Sequence, residues 1–520
     1  MNRTHKKSAL AQTSSLILAL HDQGEDLSWG RYEEQLPLCA FTSNGLNCRK
    51  CFQGPCRINP FGDQPTRGVC GADREQIVME NLFQATLEGV LETARSVSSI
   101  DESLGGQEIP DLDSDLPQET RKRLAEHELL PVRKTHLLEV QNSYFSHKGY
   151  LSRTLRDLTR LGLIHYGLLK GLEKSMSFLG GEDFPYGHEG ANLLILGQPS
   201  LNQLSALRRN IQDRAAREKV NLWLQGSRGL PIFPSFPDHG SPEMAMAMGL
   251  DALIIYPNAF SPYLENLAQK WGIPVILVRE DKSFEAIGRQ AIGMALDHRK
   301  EHAPLSPSRI PFLDSLPRNS ILNRVKEVQA ALGTGRMKGI LLIWGEPNVK
   351  QTFFEKTLTL METALNQKLL VLVGGEAVAQ ANPLNEELAR RMGKTTADIS
   401  GIQSGNPSYL LSWGEIPRLV HFLRTLGSDR EFRQMPVAVS FPELARASTW
   451  AAAVSFLSLG LAVQLGTQLP FWGSPSLSEV LLRDWPKISG GSLLASPSLA
   501  DGQTQAREII SHIQSRSFEK

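Results

Sequence analysis

All five cysteines of this 520-residue chain fall between Cys39 and Cys70. Two residues separate Cys48 from Cys51, four separate Cys51 from Cys56, and thirteen separate Cys56 from Cys70. Short spacers let one loop wrap several thiolates round a centre, and a more distant fourth closes the cage. Gly54-Pro55 and Gly68 supply the turns such a loop needs. From spacing alone, a tetrahedral zinc site and an iron–sulfur cluster both fit. Disulfides fit poorly, because five is odd and a large chain with few cysteines is unlike a small secreted scaffold. Arg49, Lys50, Arg57 and Arg67 lie beside the thiols, and positive charge stabilises thiolates and an anionic cluster.

The elements that must carry this loop are mostly legible. Residues 9–22 read as a helix. From Asp73, Ile77, Val78, Leu82, Phe83, Leu87, Val90 and Leu91 recur at helical spacing, and residues 136–180 repeat the pattern. Residues 98–135 are acidic and contain proline, a surface connection with short helices. Two alternating regions follow. Asn192–Gly197, Val220–Leu224, Ala252–Tyr256 and Pro274–Val278 read as buried parallel strands. So do Gly339–Trp344, Leu369–Val373, Leu419–Phe422, Val437–Ser440 and Ala462–Leu465. The fold class is therefore α/β. A helical cysteine-bearing unit over 1–189 precedes two Rossmann-like doubly wound domains over 190–335 and 336–520. Gly374-Gly375 follows a strand but lacks a complete G-x-G-x-x-G and reads as an ordinary turn. Met244–Met248 reads as a packing surface.

Lys+Arg and Asp+Glu are both 55, so net charge gives no argument for nucleic acid or an acidic membrane. Hydrophobic content of 41% suits a globular protein. The run Leu16–Leu20 is too short to span a bilayer, and a cytoplasmic location is expected.

The run from Trp29 through CRKCFQGPCRINPFGDQPTRGVCGADREQIVMENL resembles the amino-terminal cluster-binding region of anaerobic nickel–iron carbon monoxide dehydrogenases, relatives of hybrid-cluster (prismane) proteins. The resemblance implies that Cys48, Cys51, Cys56 and Cys70 bind a [4Fe–4S] cluster, in a prismane-like homodimer; the cluster would pass electrons to a redox partner protein or be purely structural. It also implies where a nickel–iron–sulfur centre would be held, and the matching positions carry other residues. Gln198 stands for the ligand histidine. Gly226-Ser227, Ala259, Glu346, Glu376 and a position near Thr425 stand for cysteines. Ser448 stands for the catalytic lysine, and Thr93 and Ser96 for histidines. No cysteine follows Cys70, so nickel is not expected.

Glu346, Glu376 and His421, with Gln198, are the candidates for a rebuilt centre. They would form a hard-metal set, an acid–base pair or a filled former cavity. If filled, the two glutamates should meet at the cleft and face Arg, Lys or backbone N–H groups. Cys39 has lost the second cysteine of a dimer-axis cluster, since Asn47 stands there. It is read as a free buried thiol, with an intersubunit disulfide or a mixed-ligand cluster as alternatives. The expected function is a carbon monoxide dehydrogenase-like iron–sulfur protein for electron transfer or scaffolding. An oxidoreductase with a rebuilt centre and a divergent carbon monoxide dehydrogenase are the alternatives.

Overall fold

The structure is a computed structural model. It describes residues 6–100, 108–145, 151–177, 190–197, 199–200, 203, 220–225, 242–259, 261–278, 284–302, 320–395, 408–409, 415–467, 470–494 and 501–516. Gln198, Gly226 and Ser227 lie outside the described residues.

The α/β class is confirmed by two parallel sheets and a two-stranded antiparallel ribbon. The ribbon, β1 (Asn47–Cys48) and β2 (Cys56–Arg57), belongs to the cysteine loop. The smaller sheet has β3 (Ala191–Leu196), β4 (Val220–Gln225), β5 (Ala252–Ile255) and β6 (Val275–Leu277), in the order β4-β3-β5-β6. The larger has β7 (Gly339–Gly345), β8 (Leu369–Gly375), β9 (Ser408–Tyr409), β10 (Val437–Glu443), β11 (Ala462–Leu465) and β12 (Leu493–Leu494). Its order is β12-β11-β10-β7-β8-β9, so winding reverses between β7 and β10.

The strands are near-continuous apolar runs because both faces are covered. Ile340, Leu342 and Trp344 enter one hydrophobic core, and Leu341 and Ile343 enter the other. The second core also takes Leu16, Ile17 and Leu20 of helix Ala11–Asp22, so this early helix packs on the sheets. The buried Met244, Met246 and Met248 join it, matching their reading as packing residues.

Helices Arg74–Ile100 and Leu151–Ser177 clasp a third helix, Ala447–Ser458, every residue of which from Ser448 to Ser458 is buried. Two glycines make the close approach possible. A Cβ on Gly89 would lie 2.1 Å from the Ala447 carbonyl oxygen, and one on Gly162 would lie 2.2 Å from Ser458 Oγ. The helical layer thus includes a segment from the last third of the chain.

One expected strand is a helix. Leu419–Phe422 lies inside helix Ile416–Gly427. Its buried Ile416, Leu419, Val420, Leu423 and Leu426 repeat at three-to-four spacing, and Pro417 sits in its first turn. The short run of apolar residues was one stripe of a longer amphipathic helix.

Candidate functional site

The cysteine loop is built by the ribbon. Cys48 and Cys56 are directly paired across β1 and β2. Asn81 ties the ribbon to helix Arg74–Ile100 by donating from Nδ2 to the Gly45 and Asn47 carbonyls, both at 2.8 Å. The Val69 N–H donates to Cys56 Sγ at 3.4 Å, the kind of bond that tunes a cluster sulfur. A Cβ on Gly68 would lie 3.5 Å from Cys56 Sγ.

Cys48 packs against Ile58, Ala72 and Ile77. Burial pushes its thiol pKa up, as do Glu80, Cys56 and Cys70, against the Lys50 amide. Cys48 therefore feels two of the other three thiols. Cys51 and Cys70 are exposed. Lys50 is engaged by Glu80 at 3.1 Å. Among the described residues no three Cys, His, Asp or Glu side chains converge tightly enough to hold a metal ion. The loop presents thiol donors in sequence, with a hydrogen bond to one sulfur, and this donor set fits an iron–sulfur cluster. Cys39 is exposed, which corrects the buried reading. Hydrogen bonds from Thr42 lower its pKa.

The second region lies where the larger sheet reverses its winding. Glu346 follows β7, and Glu376 follows β8. Arg446 lies between them, with Nε 3.3 Å from Glu346 and Nη2 2.5 Å from Glu376. The Ala445 and Arg446 N–H groups donate to Glu346 Oε2 at 2.9 and 3.3 Å. Burial raises the Glu346 pKa, opposed by Arg446, while Glu376 adds to the rise. The glutamates meet through an arginine and backbone donors, the arrangement of a filled cavity. The residue types do not fit a sulfur-ligated nickel–iron centre.

His421 does not join them. It is exposed on helix Ile416–Gly427, and a charge it feels is Glu173. Thr425 is on the same helix, its Oγ1 donating to the His421 carbonyl at 2.8 Å. Ala259 ends a short helical turn after β5. Ser448 is buried in the first turn of helix Ala447–Ser458.

Thr93 and Ser96 are fully buried. Thr93 Oγ1 meets His165 Nε2 at 3.1 Å, and Ser455 Oγ meets His165 Nδ1 at 2.7 Å. Burial lowers the His165 pKa to about 3, so the ring is neutral near pH 7. It is a satisfied core histidine.

Sequence reasoning missed Glu443, Lys356 and Arg446. Glu443 closes β10 and is fully buried, its pKa pushed up by burial to about 8. The available signal was a glutamate directly after the apolar run VAVSFP, at a strand's carboxyl end.

A model of the prismane/CO dehydrogenase family matches residues 46–122, which holds the four-cysteine loop. Carbon monoxide dehydrogenase 2 of Carboxydothermus hydrogenoformans is 22% identical over 99% of both chains. Carbon monoxide dehydrogenase of Rhodospirillum rubrum is 48% identical over 85 residues, 16% of this chain and 13% of that one. Among solved structures, carbon monoxide dehydrogenase IV from Carboxydothermus hydrogenoformans superposes with a TM-score of 0.77 at 18% identity, covering 98% of this chain and 99% of that one. The fold is that of this class of enzyme. Residues 46–122 match the prismane/CO dehydrogenase family model, and over nearly its whole length the chain is similar, at low identity, to carbon monoxide dehydrogenases.

Proposed function

We propose that this chain is an iron–sulfur protein of the carbon monoxide dehydrogenase type that carries one [4Fe–4S] cluster and does not oxidise carbon monoxide. Cys48, Cys51, Cys56 and Cys70 would hold the cluster, which supplies one-electron redox chemistry when bound. Its role would be electron transfer to a redox partner, or scaffolding. The protein surrounds the cysteines with the Val69 N–H donor and the Ile58, Ala72 and Ile77 packing, which set hydrogen bonding and solvent access at the sulfurs.

The observation that carries the inactive reading is the clamp of Arg446 on Glu346 and Glu376, in a chain with no cysteine beyond Cys70. A metal at those carboxylates would have to displace an ion pair and two backbone donors. The clamp therefore weighs against the rebuilt carboxylate centre. The test is carbon monoxide oxidation with an artificial acceptor after nickel loading. The expected result is background activity. Nickel-dependent turnover abolished by Arg446→Ala would overturn the proposal.

A homodimer is part of the proposal. Leu36, Phe52, Phe61 and Val69 are exposed large apolar residues within the same stretch as the cysteines, a surface suited to burial against a second copy. Three units over 1–189, 190–335 and 336–520 and a cytoplasmic location complete the reading. No helix among the described residues is long and apolar enough to cross a membrane.

A further inference from the structure

Open α/β sheets take ligands at the carboxyl ends of their strands, where the winding reverses. In the larger sheet that point lies between β7 and β10. Two helices start beside it: Glu355–Asn366, the first after β7, and Ala447–Ser458, directly after β10. Each first turn offers unpaired backbone N–H groups and the positive end of a helix dipole. Phosphates and carboxylates of ligands commonly settle at such ends.

Here the chain supplies its own carboxyl groups, and it supplies them crosswise. Glu346, after β7, accepts the Ala445 and Arg446 N–H groups that lead into the helix after β10. The Thr449 hydroxyl, one turn in, adds to its stabilisation. Glu443, at the end of β10, faces the Phe354 amide and Lys356 at the start of the helix after β7. Gly345 and Glu443 are register partners, so the two crossed pairs are adjacent. The pairing register shifts between Ser440 and Glu443, the kind of irregularity that re-aims a side chain near a site.

Two further observations point to this place. Glu443 is fully buried, and among the described residues no donor reaches either of its oxygens in hydrogen-bond geometry. Thr357 Oγ1, in the first turn of the facing helix, is likewise without a partner. Phe354, which precedes that helix, has φ 61°, a left-handed conformation rare for a large side chain.

We infer that the Glu346 and Glu443 carboxyl groups occupy the two helix N-termini of the switch point, so that the carboxyl-terminal sheet excludes phosphate-bearing and carboxylate ligands from the place where this architecture takes them. The groups facing Glu443 are Lys356, Glu346 and Glu355, and those facing Glu346 are Arg446 and Glu376. Lys356 and Arg446, one from each helix start, accompany the two carboxyl groups. The upward shifts of both carboxylates agree with their burial at this crossing.

The test compares thermal melting of the full chain in inorganic phosphate and in chloride at matched ionic strength, with calorimetric titration of phosphate and of ATP. The wild-type chain should show no phosphate-specific shift and no ATP binding. The Glu346→Ala, Glu443→Ala double variant should acquire phosphate binding and a phosphate-dependent rise in melting temperature. Wild-type phosphate or ATP binding that Arg446→Gln abolishes would overturn the inference, as would a folded double variant that gains nothing. If the double variant does not fold, Glu443→Gln decides. Carbon-13 spectra of glutamate-labelled protein should show one carboxyl titrating near pH 8 in the wild type and none there in Glu443→Gln. A wild-type spectrum with every carboxyl titrating below pH 6 would contradict the assignment.

Discussion

The cysteine loop and the switch point of the larger sheet are opposites. The loop keeps soft donors in sequence and leaves two of its four thiols exposed. The switch point instead pairs two acidic groups, Glu346 and Glu376, with Arg446. In the cysteine loop the chain tolerates exposed apolar and nucleophilic groups such as Phe52, Phe61 and Cys70. At the ends of β7 and β8 it has built an ion-pair network. An unpaired carboxylate buried as deeply as Glu346 would be costly, so its burial requires a compensating cation such as Arg446.

The largest effect should come from removing that cation. Arg446→Ala leaves Glu346 buried beside Glu376 and should destabilise the protein by about 3 kcal/mol, with the partial exposure of Arg446 keeping the loss below the upper end for buried pairs. Urea unfolding at pH 7 checks this. A loss below about 1 kcal/mol would show that the clamp is a surface pair.

Next in size is the pH dependence. Glu443 has its pKa raised to about 8 in the fold, against an ordinary 4.5. The folded state then holds the proton that the unfolded chain has released. Its contribution is full below pH 4.5 and is lost as pH rises through 8, with a slope of up to about 1.4 kcal/mol per pH unit. Glu443→Gln should flatten the fall between pH 5 and 8.

His165 works in the other direction. Its pKa drops from 6.5 to about 3, so the unfolded chain binds the extra proton and stability declines as pH falls from 6.5 towards 3. His165→Asn should reduce that acid sensitivity. Unchanged slopes in either variant would place the group in solvent or in a different pairing.

At the loop, Cys51→Ser should weaken cluster retention, because a hard hydroxyl replaces a soft thiolate. Iron and sulfide per chain measure it. Full retention would remove Cys51 from the ligand set. The smallest effect belongs to His421→Ala, which should change stability by less than about 0.5 kcal/mol, since the residue is exposed. Any loss of metal in that variant would return His421 to a site.

The regular parts of this chain could be read from periodicity. Strands such as β3, β5 and β7 are uninterrupted apolar runs, and each was placed to within a residue or two at either end. Leu419–Phe422 misled because a short apolar run fits either period, and the Ile416 and Leu426 positions that decide it lie outside the run. The short strands β9 and β12 carry two residues each, too few for any period to show. Glu346 and Glu376 were legible as strand-end carboxylates, and their meeting was expected. Arg446 was not seen, because an arginine before a helix resembles any surface residue until the sheet brings β7, β8 and β10 together. Glu443 lies beside a register shift that no sequence pattern announces.

The central claim is that the chain keeps the first cluster and has closed the second site. Anaerobic purification followed by iron, sulfide, nickel and zinc analysis with electron paramagnetic resonance tests it most directly. The account predicts about four iron and four sulfide per chain, no nickel, and the signal of one [4Fe–4S] cluster on reduction. Stoichiometric zinc without sulfide, or nickel with additional iron, would contradict it.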